Sequence, residues 1–311
     1  MNSKRRLLLA AALVVASGVR AVSFGTALFA ASAKPTASTR VTIPRPVRLR
    51  EVRGRGLLVN VWLNSTGPYT FAVDTGAGTT LLSPRVVSES RLSVRSASGR
   101  SIAGLTGRSV AADETTIETL AVGDRSNSFP GSITAVVTSG LPNDIDGVLD
   151  PTQVFSPLGY VIDIPRLELS AFDPHTTPLS TNNQPTEGAV VPWLRESQSR
   201  RPFVQLDNGD RALIDTGSSL GLAIRDSSAA NHTNASLSRD VGGGQILARR
   251  ARPTTVAIGA LVLRNIPTDL ISGAEADAPV LIGLSALQPF RLAFDPVHHL
   301  IEIAPVERVR R

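Results

Sequence analysis

The tripeptide Asp-Thr-Gly occurs twice, at 74–76 and at 215–217, and each copy closes an apolar run inside a longer repeat. The first copy runs from Leu57–Leu63 through the turn Asn64-Ser65-Thr66-Gly67-Pro68 into Tyr69-Thr70-Phe71-Ala72-Val73 and then Asp74. The second runs from Phe203-Val204-Gln205-Leu206 through a turn containing Asn208-Gly209 into Ala212-Leu213-Ile214 and then Asp215. Asn-Gly between extended runs is a hairpin signal. Both copies also close alike. The first continues to Val148-Leu149, Val161-Ile162-Asp163 and Leu167-Glu168-Leu169, and the second to Leu281-Ile282-Gly283, Leu292-Ala293-Phe294-Asp295 and Ile301-Glu302-Ile303. The repeat predicts two related β-structured halves. No amphipathic helical run of convincing length interrupts them, so the fold is read as all-β.

One Asp-Thr-Gly is weak evidence, because average composition places one in roughly one chain in twenty of this length. Two in matched contexts carry chemistry. Each ends an apolar strand and is followed by small residues, Ala77-Gly78-Thr79-Thr80 or Ser218-Ser219. That pattern delivers a carboxylate to the tip of a tight loop, where glycine lets another backbone approach closely. Two carboxylates at hydrogen-bonding distance cannot both ionise, so such a pair keeps one shared proton. Its charged member can take a proton from water while its protonated member polarises a carbonyl.

These residues resemble the aspartic peptidases of the pepsin and retropepsin clan, over almost all of the chain beyond its N-terminal leader. Asp74-Thr75-Gly76-Ala77 looks like the retropepsin form of the signature, and Asp215-Thr216-Gly217-Ser218 like the pepsin form. The resemblance implies two β-barrel lobes with a cleft between them, and Asp74 and Asp215 as catalytic residues. It implies that Thr75 and Thr216 lock the loops through hydroxyl-to-backbone bonds, and that Gly76 and Gly217 donate N–H groups to the carboxylates. The substrate implied is an extended polypeptide, with no cofactor and no metal. Ser218 offers a hydroxyl where Ala77 offers none, so Asp215 is expected to hold the charge more readily, through that hydroxyl. A flap is expected between each aspartate loop and its apolar pair. The candidates are Ser101–Gly107, with Gly104 and Gly107, and Val241–Gln245, centred on Gly243; surface turns are the alternative for both.

The first half departs from the family at one position. Gly283 follows the second apolar pair as expected, but Asp150 follows Val148-Leu149. Three readings stay open: the segment shifts slightly and Asp150 is harmless, which is the expectation carried forward; Asp150 perturbs the pair; or the first half is degenerate and the chain is a non-catalytic binding protein of the same fold. A serine hydrolase is a further alternative, since Gly217-Ser218-Ser219-Leu220-Gly221 matches Gly-x-Ser-x-Gly. That elbow requires a strand-to-helix turn and a histidine partner.

Composition excludes other chemistries. The chain has no cysteine, which removes disulfides, thiolate nucleophiles and Cys-ligated zinc. None of His175, His232, His298 and His299 forms an i, i+4 pair, so no helical zinc site is expected. Aromatics are only 4% of the chain, which leaves Val, Leu, Ile and Ala to fill the interior. The net charge of +6 owes four of its units to Lys4, Arg5, Arg6 and Arg20, in an N-terminal stretch without acids. What remains, with no aromatics among Arg249-Arg250-Ala251-Arg252 or Arg308–Arg311, does not read as a nucleic-acid surface.

Residues 1–33 read as a signal peptide or membrane anchor: Lys4-Arg5-Arg6, the apolar run Leu7–Val19, then small-residue cleavage patterns at Val19-Arg20-Ala21 and Ala31-Ser32-Ala33. Export to a periplasmic or secreted location is expected, with membrane anchoring through residues 7–33 as the alternative. The expected organisation is a linker or pro-segment at 34–50, an N-terminal lobe at 51–173, an interlobe linker at 174–186 and a C-terminal lobe at 187–311, in a monomer.

Overall fold

The apolar runs before the two aspartates become strands Thr66–Val73 and Arg211–Asp215, each at the centre of its own sheet. The computed structural model describes residues 42–96, 101–129, 131–196, 199–226, 235–239 and 244–306. These belong to one compact unit. Half of the structure is strand and 6% is helix, in three short helices, so the fold is all-β.

The two central sheets repeat one another strand for strand. In the first, Gly56–Leu63, Thr66–Val73, Gly147–Leu149, Leu81–Leu82, Ile133–Val137 and Asp113–Ile117 lie side by side. In the second, the same places are taken by Ser199–Gln205, Arg211–Asp215, Val280–Gly283, Leu222–Arg225, Thr268–Ser272 and Gln245–Arg250. In both, successive neighbours pair antiparallel, parallel, antiparallel, parallel and antiparallel. Strands of alternating apolar and polar residues bury one face: in Thr66–Val73, Tyr69, Phe71 and Val73 point inward.

The sheets are open, which corrects the expectation of β-barrels. Closure requires the two edge strands to pair with each other. In the ten-stranded sheet those edges are the two-residue strands Ser128–Phe129 and Val94–Arg95, too short to form a closing seam.

A third, six-stranded sheet joins material from both ends of the chain. Its order is Val47–Arg48, Glu168–Phe172, Gly159–Asp163, Phe290–Asp295, Leu300–Pro305 and Ala189–Pro192. The closing strands of the two repeats therefore pair with each other, Tyr160 opposite Phe294 and Ile162 opposite Leu292. Few as the aromatics are, they concentrate here. Tyr160 stacks on Phe294 with ring centroids 4.6 Å apart, Phe155 and Trp193 pack on either side, and all four are buried. Asp163 and Asp295, which mark the closing strands in the sequence, are the last residues of those strands, and their side chains hold the turns that follow. Asp163 Oδ1 accepts from the Arg166 N–H, and Asp295 Oδ1 from those of Val297 and His298. Residues 174–188 are turns and irregular chain that connect two strands of this same sheet, Glu168–Phe172 and Ala189–Pro192.

Among the described residues no helix is long and apolar enough to cross a membrane. Residues 1–33, expected to be a signal peptide or anchor, and the flap candidate Gly243 lie outside the described residues.

Candidate active site

Parallel pairing delivers the two aspartates. Val73 lies opposite Leu149 and Ile214 opposite Ile282, so each aspartate strand is backed by the apolar pair of its own repeat. Immediately beyond these positions the chain turns, and Asp74 and Asp215 meet with a hydrogen bond between their carboxyls.

The loops are interlocked through their threonines, both fully buried. Thr75 Oγ1 donates to the Ile214 carbonyl at 2.6 Å and accepts from the Thr216 N–H at 3.1 Å. Thr216 Oγ1 donates to the Val73 carbonyl at 2.9 Å and accepts from the Thr75 N–H at 3.2 Å. The glycines allow the approach. A Cβ on Gly76 would stand 2.8 Å from Asp215 Cγ, and one on Gly217 would stand 2.3 Å from Asp74 Cγ. Each glycine thus lies against the other loop's carboxylate while its own N–H serves its own aspartate, Gly76 to Asp74 Oδ1 at 2.7 Å and Gly217 to Asp215 Oδ1 at 2.9 Å.

The two carboxyls are electrostatically unequal. Burial raises Asp74 well above the usual carboxylate range, and the charge of Asp215 and the hydrogen bond to it raise it further; only the Gly76 N–H opposes this. Burial also raises Asp215, but the hydrogen bond from Asp74, the N–H groups of Ser218 and Gly217, and the positive charge of Arg201 all act to lower it. Both side chains keep partial contact with solvent, yet atoms packed around them remove most of their hydration. These influences favour the shared proton on Asp74 and the charge on Asp215.

Ser218 takes part through its backbone. Its N–H donates to Asp215 Oδ1 at 3.0 Å, while its Oγ accepts from the Leu220 N–H at 3.4 Å. The hydroxyl expected to hold the charge on Asp215 is turned to its own loop, because the loop bends back at Leu220 and brings that N–H to it.

Asp150 stays in register, which corrects the expectation of a shifted, harmless segment. The apolar pair cannot slide without breaking the Leu149–Val73 pairing, and the Asp74 N–H donates to the Leu149 carbonyl at 3.1 Å. Asp150 is 1% exposed. It caps helix Pro151–Phe155, its Oδ1 accepting from the Thr152 N–H at 3.0 Å, where Gly283 caps helix Leu284–Leu287 without a side chain. Asp150 Oδ2 has no hydrogen bond and lies 3.8 Å from Arg200 Nε. Burial pushes the Asp150 carboxyl up to about 6, against the lowering effect of Arg200, the Gln153 and Thr152 N–H groups and Arg201.

Two neighbouring cavities share Ala77, Thr79, Ile102, Ala103, Glu196 and Arg201 in their walls. The smaller, about 680 Å³, contains Asp74 and is closed on one side by Gly104 and Leu105. The larger, about 1130 Å³, holds neither aspartate and extends along Arg200 and Gln153. Of the two, the smaller brings a candidate carboxyl to its wall, beside its junction with the larger. Of the flap candidates, Gly104 lines the smaller cavity, in the loop of hairpin Ser101–Ala103/Ser109–Ala111. Gly107, at φ +67°, faces Glu275, and the Leu105 carbonyl accepts from the Glu275 N–H at 3.0 Å.

Arg200 and Arg201 are site residues that the sequence reading passed over. Arg201 Nε lies 3.3 Å from where a Gly78 Cβ would stand. By register it holds the position of Gly56 in the first repeat, since Phe203 pairs with Leu213 as Leu58 pairs with Ala72. A cation pair opening an otherwise apolar strand was the available signal. The Gly-x-Ser-x-Gly match is not a nucleophile elbow: Ser219 sits between strands Arg211–Asp215 and Leu222–Arg225, with no helix after it. Among the described residues no group of three or more His, Asp or Glu side chains is placed to hold a metal ion.

Residues 59–149 match the family model described as aspartyl protease. The match supports an aspartyl protease of the retropepsin-like kind. It spans the first aspartate loop and ends at Leu149, directly before Asp150. No curated protein matches the chain.

Proposed function

We propose that the chain is a two-lobed aspartic endopeptidase that hydrolyses extended polypeptides with water activated between Asp74 and Asp215. The observation that carries this reading is the face-to-face pair of Asp-Thr-Gly loops, tied by reciprocal threonine bonds, which places the two carboxyls together in unequal surroundings. The Asp215 carboxylate takes a proton from water, whose oxygen attacks the scissile carbonyl carbon. Asp74 gives its proton to the carbonyl oxygen, forming a neutral tetrahedral diol. Asp215 then passes its proton to the amide nitrogen and the C–N bond breaks. A diol hydroxyl returns a proton to Asp74, restoring the starting state without a covalent intermediate. A groove beside a flap hairpin suits an extended substrate, whose backbone can hydrogen-bond as a strand does.

The test is cleavage of a peptide library by the wild type, Asp74→Asn and Asp215→Asn across acidic and neutral pH. Cleavage by the wild type that disappears in both variants is the expected result. The second reading, a non-catalytic binding protein, draws on Asp150 beside Asp74; peptide binding without wild-type cleavage at any pH would favour it. Export is part of the proposal, on the basic and apolar pattern of residues 4–19, and a monomer goes with the reading that one chain supplies both aspartates. Cell fractionation with N-terminal sequencing tests the export, and the solution mass tests the monomer.

A further inference from the structure

The two repeats depart from each other at the site itself. Asp150 stands where the second repeat has Gly283, and Arg201 where the first has Gly56. Gly283 begins its helix without a side-chain cap, whereas Asp150 brings a carboxyl to the same position. The helix that Asp150 caps packs against strand Ser199–Gln205, which carries both arginines. The residue is held at two points: its backbone N–H donates to Thr80 Oγ1 at 3.3 Å, and its Oδ1 accepts the helix cap bond. This leaves Oδ2 buried and without a hydrogen bond, facing Arg200 at 3.8 Å.

We propose that Asp150 is a positioning residue of the site, a buried third carboxyl that, balanced by Arg200, keeps the shared proton on Asp74 to higher pH. This rests on the paired-aspartate reading. The groups facing Asp150 are few. Strand Ser199–Gln205 presents Arg200 and Arg201, the aspartate loop presents Asp74, and strand Gly159–Asp163 presents Tyr160, whose hydroxyl bonds Thr152 Oγ1 at 2.9 Å. Burial raises Tyr160 well above its ordinary range, and the charges of Asp150 and Asp74 raise it further, so it stays neutral. The charge on Asp150 acts on Asp74 in the same direction as that on Asp215, disfavouring a second negative charge there.

The sign follows from when each group is charged. The pair works with one proton, gained on the acid limb by Asp215 losing its own and lost on the alkaline limb when Asp74 gives up the last. Asp150, at about 6, is neutral on the acid side of that value and charged on the alkaline side. Its charge therefore opposes only the second loss.

The experiment is the pH–rate profile of the wild type and Asp150→Asn, read beside carbon-13 NMR titration of the aspartate carboxyls in both. Asparagine keeps the helix cap and removes the charge. The alkaline limb and the Asp74 midpoint are expected to move to lower pH together, with the acid limb unchanged; Asp150→Gly, which copies the second repeat, is expected to do the same. In Arg200→Gln the Asp150 titration itself moves to higher pH. An Asp74 midpoint that stays in place in Asp150→Asn overturns the proposal, as does an equal movement of both limbs. The NMR titration decides even if the wild type cleaves nothing, an outcome that would sink the peptidase reading separately.

Discussion

The hydroxyls of Thr75 and Thr216 are exchanged between the two aspartate loops, each donating to the carbonyl just before the other loop's aspartate and accepting that loop's threonine N–H. Four buried polar groups are satisfied this way, and neither loop can satisfy its own. Thr216→Val keeps the shape but leaves the Thr75 N–H without its acceptor and the Val73 carbonyl without this donor. Each buried orphan costs about 1–3 kcal/mol, so the loss of stability should reach about 2 kcal/mol or more by urea unfolding. Thr216→Ser, which keeps the hydroxyl, should lose far less. Equal midpoints for the Val and Ser variants would show that the exchange contributes nothing.

Gly217 tests the contact between loops from the other direction. A methyl group there would overlap the Asp74 carboxyl, with Cβ 2.3 Å from Cγ, and Asp74 must move away from Asp215 to admit it. A displacement of about 1 Å at reacting groups costs on the order of 10²-fold in rate. Gly217→Ala is accordingly expected to lower kcat by about that factor with a smaller change in KM, because the groove wall other than Asp74 is left in place.

The charge on Asp215 is favoured by Asp74, by two backbone N–H groups and by Arg201, not by the Ser218 hydroxyl, which makes a clear forecast for Ser218→Ala. The Ser218 N–H and the Gly217 N–H both reach Asp215 Oδ1, and the Ser218 hydroxyl serves Leu220. Removing the hydroxyl leaves both carboxylate donors in place, so the acid limb of the pH–rate profile should not move. An upward movement would mean the hydroxyl turns to Asp215 when substrate binds.

The parts of this site that were legible in the sequence are those where chemistry and local structure coincide. Asp74 and Asp215 end apolar strands and precede glycines, so motif and strand pattern point to the same loop tip. The repeat extended that reading to the backing pairs Val148-Leu149 and Leu281-Ile282. Relationships between distant strands were not legible. Nothing local to Tyr160 announces Phe294 as its partner, and open sheet edges depend on how short Val94–Arg95 is once folded. Asp150 was visible as an anomaly, but its fate was not, because register pins it while an isolated buried carboxylate would be expected to escape to water. Ser218 was picked out for its side chain and acts through its N–H, a distinction that sequence cannot make when every residue but proline carries the same donor.

Asp150 also leaves a signature in stability. Its folded value of about 6 lies above the ordinary 3.8, so as pH rises the unfolded chain ionises first and the folded state loses ground. The penalty is absent below the lower value, grows between the two and is complete above the higher. Each pH unit across that window is worth about 1.4 kcal/mol, and the full penalty comes to about 3 kcal/mol. Asparagine at 150 caps the helix comparably and does not titrate. The stability of Asp150→Asn relative to wild type should therefore rise steadily between about pH 4 and about pH 7, whatever constant offset its buried amide introduces. Making the comparison in an Asp74→Asn background removes the coupled titration of the neighbouring carboxyl. A difference in unfolding free energy that stays flat across this range would mean that Asp150 ionises in the folded protein as freely as in the unfolded chain.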